Sequence, residues 1–395
     1  MRSARTSAML RQDNSARALG LVHAFGEASR AQLASWLGVT RTTAKAVAEG
    51  LVAAGLVVEE ERAEALGRGR PSPVVRPAPG GPVVMAVELA VSHVTVAVVG
   101  LGTHLVTVQR ERLPSSPAPD TVIGLIGDLA GSAARASGPL AGVGVSFYGA
   151  VRPDGFVLHA PSLRWRELPL ADLISRAVGG GVPVRVGNDA DLAAMAEARR
   201  AGDARPRDLL YLIAERGLGA GLVNNGVLVG GATGSFGEVG HMVVNPDGVR
   251  CPCGRIGCWE TEVDARSLLR RAGRRARGDL QHAVAGVLAD AGTGDDRARV
   301  ALAEYTRWLG LGLVNMVNIF DPPRVVVGGV LARVLPAIAG ELSTVVAQQG
   351  LVRRESPLPI TAARLGEHSA LIGAADLAFA DLLAAPLGTV RASAR

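Results

Sequence analysis

Lysine is nearly missing from this sequence of 395 residues: Lys45 stands alone, and all other positive charge is arginine. Aromatic residues make up only 3% of the chain, and cysteine occurs three times. So few cysteines, odd in number, exclude a disulfide-built scaffold and suit a reducing, cytoplasmic setting. No uninterrupted apolar run of about 20 residues occurs, which argues against a membrane span. The opening MRSARTSAMLRQDN lacks the apolar core of a secretory signal. What is abundant is apolar: 48% of residues are hydrophobic, enough for sizeable cores in about two or three domains. The net charge of +6 is uneven, since residues 1–80 hold eleven Arg or Lys against seven Asp or Glu. A basic start is compatible with a polyanionic partner.

All three cysteines, Cys251, Cys253 and Cys258, fall within eight consecutive positions shortly after His241. Three thiolates and one imidazole close a tetrahedral shell of the structural zinc type and leave no position for water. Gly254 and Gly257 supply tight turns for thiolates that must converge, and Pro252 stiffens the Cys-x-Cys pair. The expected metal is therefore Zn2+ in a structural role. On the residues alone, a redox cluster or simply buried thiols remain open, although Cys-x-Cys is a poor disulfide spacing.

The first 78 residues read as helices followed by short strands. Ala18, Leu21, Val22 and Phe25 share a helical face that ends at Gly26. Ser29 is placed to cap a second helix with Leu33, Trp36 and Leu37 inward, and Gly38 stops it. Thr40 is placed to cap a third, with Ala44, Val47, Ala48 and Leu51 inward. Two short helices joined at Gly38 make a helix-turn-helix, which puts Arg41, Thr42, Thr43 and Lys45 near bases and phosphates of DNA. A plain three-helix packing domain is the alternative. Beyond Gly55 two short strands flank a charged tip, as in a winged helix, and GRGRP carries Arg68 and Arg70. Arginines on flexible backbone can enter a minor groove, though alone this reads as a basic linker. PAPGGP at 77–82 is the linker to the remainder, 79–395.

From Val83 the chain shows three strand-like runs, a helix near 120–136 and a buried strand, AGVGVSFYG. Strands then helices recur from Leu209, so two β-rich halves with crossover helices predict a duplicated α/β fold of the actin-like ATPase (ribonuclease-H-like) type, with a ligand between the halves. Long helical patterns at 297–320 and 369–383 are candidate assembly surfaces or core. Asp189 lies between a strand and a helix and alone reads as a helix N-cap.

The segment GEVGH, followed by CPCGRIGCWE, closely resembles the signature and zinc loop of the ROK family (repressors, open reading frames and sugar kinases). The resemblance implies the actin-like fold, zinc on His241, Cys251, Cys253 and Cys258 within the loop 241–258, and a sugar site. That site would comprise Asn188, Asp189, Glu238, His241 and Glu260, with Gly149 and Ser162 where relatives line the sugar. Tyr148 and Ser162 replace the family's usual proline and asparagine. The stretch 14–76 resembles the N-terminal domain of ROK regulators, including a Gly-Arg-Pro element after the wing, which makes Arg68 and Arg70 DNA candidates. Relatives that are kinases carry Asp-x-Gly-Gly-Thr on the first strand; here Glu88, Leu89, Ala90, Val91 and Ser92 stand there. Glycine backbone must approach phosphates, so a β-branched valine argues against ATP. The expectation is a non-catalytic, sugar-responsive repressor acting on operator DNA as a homodimer or homotetramer. An ATP-dependent sugar kinase using Asp189 as base is the alternative, and a partner protein as effector is a third reading.

Overall fold

The computed structural model describes residues 7–61, 73–137, 139–202, 207–232, 234, 236–276, 278–351 and 357–388. The tip of the expected wing, with Arg68 and Arg70, lies outside the described residues.

Helix α1 (Ser7–Phe25) buries Ala18, Leu19, Leu21 and Val22. After a short strand β1 (Ala28–Ser29), α2 (Arg30–Leu37) starts on a capping box. Ser29 Oγ accepts the Gln32 N–H at 3.2 Å, and Gln32 Oε1 accepts the Ser29 N–H at 2.9 Å. Helix α3 (Arg41–Ala53) starts on Thr40, whose Oγ1 accepts the Thr43 N–H at 3.2 Å. Its Ala44, Val47, Ala48 and Leu51 are buried, while Arg41, Thr42 and Lys45 are exposed. Strands β2 (Val57–Glu60) and β3 (Val74–Pro77) pair antiparallel, and β1 joins the free edge of β3. This third strand is too short to carry a sequence pattern.

Strands β4 (Val83–Leu89), β5 (His93–Gly100) and β6 (Leu105–Arg112) form an antiparallel meander. Helix α4 (Pro119–Ser137) leads to β7 (Leu140–Phe147), parallel to β4. A small sheet of β8 (Ala150–Val151), β9 (Val157–Ala160) and β10 (Trp165–Leu168), then α5 (Leu170–Ala177), precede β11 (Val184–Asn188), parallel to β7. Helix α6 (Asp189–Arg199) crosses to the second half. There β12 (Leu209–Ala214), β13 (Leu218–Asn224) and β14 (Val227–Leu228) form a second meander. Helices α7 (Trp259–Val263), α8 (Ala265–Arg271), α9 (Leu280–Thr293) and α10 (Asp296–Phe320) follow, then β15 (Val325–Gly328), α11 (Gly329–Gln349) and β16 (Ile360–Ala362).

The two five-stranded sheets have orders β6-β5-β4-β7-β11 and β14-β13-β12-β15-β16. In each, the first strand is central, the next two continue from it as an antiparallel meander on one side, and the last two run parallel to it on the other. The expected duplication is therefore present strand for strand. By length and composition α11 could cross a membrane, but its Val330, Leu331, Val334, Ile338 and Leu342 lie in the core of the second lobe.

Between the sheets lie α6, packed on β12 and β13, and α12 (Ser369–Ala378), packed on β4 and β7; the two helices also pack on each other. The single helix expected at 369–383 breaks at Phe379, and a short α13 (Ala380–Ala384) follows. Phe379 is fully buried and meets the His23 ring edge-on at 5.2 Å. That contact belongs to a wider merger: residues of α1, α2 and α3 share one apolar core with Val84, Ala86, Ala97, Val99 and Leu371 of the first lobe.

At the centre of the merger sits Asp376, 3% exposed. Its carboxylate accepts from His23 Nε2 at 2.9 Å, from Arg200 Nη2 at 2.7 Å and Nη1 at 2.9 Å, and from Arg199 Nη1 at 3.2 Å. The Gly102 N–H donates to His23 Nδ1 at 3.1 Å, which places the ring proton on Nε2. Burial alone would raise the pKa of Asp376, but the charge and hydrogen bonds of Arg200, and then His23, hold it well below the usual carboxylate range. Removing one partner of such a pair strands the others without water or counter-charge. Asp376→Ala is expected to cost about 3–5 kcal/mol of stability, read as a fall in the denaturant midpoint; a loss under about 1 kcal/mol would contradict this account of the merger.

Candidate functional site

The loop from Gly237 to Glu260 folds back on itself. Val244 N–H donates to Gly257 O at 2.9 Å and Gly257 N–H to Val249 O at 3.0 Å. Gly257 has φ +73°, and a side chain there would collide with the Asn245 carbonyl, so the fold-back requires glycine. Trp259, fully buried, anchors the end of the loop: its N–H donates to Met242 O at 2.7 Å and its indole N–H to Trp308 O at 3.0 Å.

The fold-back brings His241, Cys251, Cys253 and Cys258 together, one ligand atom from each lying within 4.8 Å of the others. Cys253 Sγ and Cys258 Sγ are 3.6 Å apart, and Cys251 Sγ is 3.7 Å from His241 Nδ1. A tetrahedron of ligands about 2.3 Å from zinc has edges near 3.8 Å. The donor set and its spacing therefore fit a single tetrahedral ion, held through Nδ1 of His241. Nε2 of the same ring faces Glu238, 3.7 Å from Oε2.

The carboxylates gather beside this loop. Glu260 Oε1 lies 3.5 Å from His241 Nδ1 and accepts from Cys251 Sγ at 2.7 Å. From the first lobe, Asn188 and Asp189 reach the same cleft at the junction of β11 and α6. Here the structure corrects the sequence reading: Asn188, not Asp189, caps α6, its Oδ1 accepting from Ala190 N–H at 2.9 Å and Asp191 N–H at 3.1 Å. Two adjacent residues both suited to capping cannot be told apart by pattern. Because Asn188 takes the cap, Asp189 is the first helical residue and its carboxylate is left for the cleft. Asn188 also donates Nδ2–H to Gly149 O at 3.0 Å, so much of its amide serves the fold.

Burial pushes Asp189 up to about 7, the Ala190 N–H opposes, and the negative charges of Glu88 and Glu238 add to the rise. Burial likewise pushes Asp191 up to about 8, followed by Asp189 and Glu238. Asp191 is 8% exposed and its Oδ1 has no hydrogen-bond partner; sequence reasoning missed it. Glu238 is raised by burial as well, against the pull of His241. The cleft thus concentrates carboxyl groups that can share protons and bind hydroxyls by accepting and donating.

Two further groups border it. Tyr148, which follows β7, takes a hydrogen bond with Ser162 and lies close to Glu260 and Asp189. At the end of β4, Glu88 is 3.7 Å from His93 Nε2, and Arg110 Nη2 is 3.3 Å from His93 Nδ1. On the N-terminal module, Arg41, Thr42 and Lys45 sit exposed on the first turns of α3, with Thr43 partly buried. Lys45 Nζ is 3.5 Å from Glu49. These residues lie on a different part of the molecule from the carboxylate cleft.

Residues 84–381 match the ROK family. The chain is 31% identical over 284 residues to a glucokinase of Streptomyces coelicolor, covering 68% of this chain and 89% of that protein. It is 24% identical over 374 residues to a xylose repressor of Caldicellulosiruptor bescii, covering 91% of this chain and 93% of that one. Among solved structures, a ROK family transcriptional regulator described as a homologue of the E. coli MLC protein superposes with TM-score 0.75 at 23% identity, covering 96% of this chain and 98% of that chain. The last is a likeness of fold.

Asp191 binds its proton more tightly folded than unfolded, so its ionisation costs stability as pH rises from about 4 towards 8. Asp191→Asn should raise the thermal midpoint at about pH 9 and leave it nearly unchanged at about pH 4; an equal shift at both would refute the burial account. Cys253→Ser should lower bound zinc from about one ion per chain, as measured by plasma mass spectrometry, and unchanged metal content would sink the assignment.

Proposed function

The chain belongs to the ROK family, and from that premise we propose that it is a sugar-responsive DNA-binding transcriptional repressor whose structural zinc supports the sugar site. The observation that carries the reading is mechanical. Helix α6 begins at Asp189 in the cleft and ends at Arg199, and Arg199 and Arg200 hold Asp376, which holds His23 of α1. One helix therefore joins the ligand cleft to the core of the N-terminal module.

In this mechanism the neutral sugar lies between the lobes. Asp189 and the remaining Asn188 N–H would meet it from one side, Glu238, His241 and Glu260 from the other, with Gly149 and Ser162 at the border. Zinc on His241, Cys251, Cys253 and Cys258 would act as a clamp that fixes the loop carrying the two glutamates. Since α6 rests on the second sheet and α12 on the first, lobe closure would slide one helix on the other and shift Asp376 against α1. Only a sugar that prefers one closure state produces that shift.

DNA would be read by Arg41, Thr42, Thr43 and Lys45 at the start of α3, with Arg68 and Arg70 of the GRGRP stretch in the minor groove. Such readers act in pairs on two half-sites, which supports a homodimer or homotetramer in the cytoplasm. The alternating lengths of its relatives support the regulator over the kinase: the xylose repressor is matched across 91% of this chain and the glucokinase across 68%. So does the Glu88 to Ser92 turn, where Glu88 is engaged with His93 and Val91 stands at a phosphate-approach position. A sugar kinase remains the second reading because Asp189, at about 7, is poised as a general base.

Duplexes selected from a random library by the full-length protein provide the test. Arg41→Ala and Lys45→Ala should each weaken binding about tenfold without altering the thermal shift with sugar; undiminished binding by both would remove the recognition helix. ADP release from magnesium-ATP with D-glucose or D-xylose would restore the kinase.

A further inference from the structure

The sugar site carries one side chain that does not fit a passive lining. Tyr148 leaves the first lobe directly after β7, its N–H donating to Leu89 O at 3.2 Å. Its ring then spans the cleft to the second lobe. There its hydroxyl abuts Gly217, in the turn between β12 and β13: a Cβ at Gly217 would collide with that hydroxyl and lie 2.7 Å from Glu260 Oε2. Gly217 is buried, so glycine is required here by the tyrosine and not by backbone conformation. The phenol oxygen accordingly lies among Ser162, Glu260 and Gly217. Burial, followed by the charges of Glu260 and Asp189, raises its pKa strongly, so it is a neutral donor.

Resting on the reading of the cleft as a sugar site, we propose that Tyr148 is its specificity-determining residue: the ring fills volume beside Glu260 and Gly217 and so selects an aldopentose over the larger aldohexose. Two observations besides the ring's position fit that class. The charges acting on Asp189 are those of Glu88 and Glu238, both negative, so a sugar phosphate or sugar acid is repelled. The phenol is itself hydrogen-bonded with Ser162, which holds the ring in the cleft.

Calorimetric titration with D-xylose and D-glucose tests this on the zinc-loaded full-length protein. The wild type should favour D-xylose by at least about tenfold, the usual worth of one such group. In Tyr148→Ala the preference should narrow to near unity through a gain in D-glucose binding, whereas Tyr148→Phe, which keeps the bulk, should retain it. Tyr148→Leu makes the same test if the alanine variant unfolds. The same xylose-to-glucose ratio in the wild type and the shortened variants would overturn the proposal while leaving the sugar site standing. No binding of any neutral sugar by the wild type would instead bring down the sugar site, and Tyr148's role with it.

Discussion

A carboxylate with almost no exposure to water, Asp376, stays ionised here because two arginines and a histidine surround it. Those partners come from two separate places, the end of α6 and α1 of the N-terminal module, and meet on α12, which bears Asp376. An ion cluster of this kind contributes little net stability over a well-packed apolar substitute. What it contributes is geometry, since Asp376 cannot move away from α6 or α1 without stranding a buried charge. The apolar core that surrounds it, shared by the module and the first lobe, has the same consequence. The N-terminal module is built onto the lobe and is not tethered by a loose linker.

The cleft obeys a complementary logic. Its two sides come from different lobes: Asp189, Tyr148 and Ser162 from the first, Glu238, His241 and Glu260 from the second. Any ligand held by both sides is sensitive to lobe closure, and the raised pKa values of Asp189 and Glu238 suit hydrogen bonding to a neutral polyol. The fold-back that assembles His241 with Cys251, Cys253 and Cys258 also places Glu260 beside them, 3.5 Å from His241 Nδ1. A metal on those four residues and a ligand in the cleft would therefore not be positioned independently.

Legibility from sequence followed range along the chain. The cysteine loop could be read because His241 and the three cysteines lie within eighteen positions, from His241 to Cys258, and α2 and α3 because Ser29, Gly38 and Thr40 are local stop and start signals. The duplicated strand order was visible as recurring apolar runs. By contrast, His23 and Asp376 are 353 residues apart, and nothing local in either distinguishes a buried partner from a surface residue. The sequence pattern put the cap of α6 on Asp189; the folded chain gives it to Asn188 and leaves the Asp189 carboxylate to the cleft. Tyr148 was visible only as a departure from a family pattern, because its meaning depends on Gly217 across the cleft. The break at Phe379 was hidden in an uninterrupted helical pattern, because no glycine or proline stands at it.

Sugar control of DNA binding requires that occupancy of the cleft reach α3 of the N-terminal module. Affinity for a selected duplex should be measured by fluorescence anisotropy with and without saturating D-xylose, in the wild type and in Asp189→Ala. A dissociation constant that rises about tenfold or more with sugar in the wild type, and stays constant in the variant, is what the account predicts. An affinity indifferent to a sugar that calorimetry shows to be bound would contradict it.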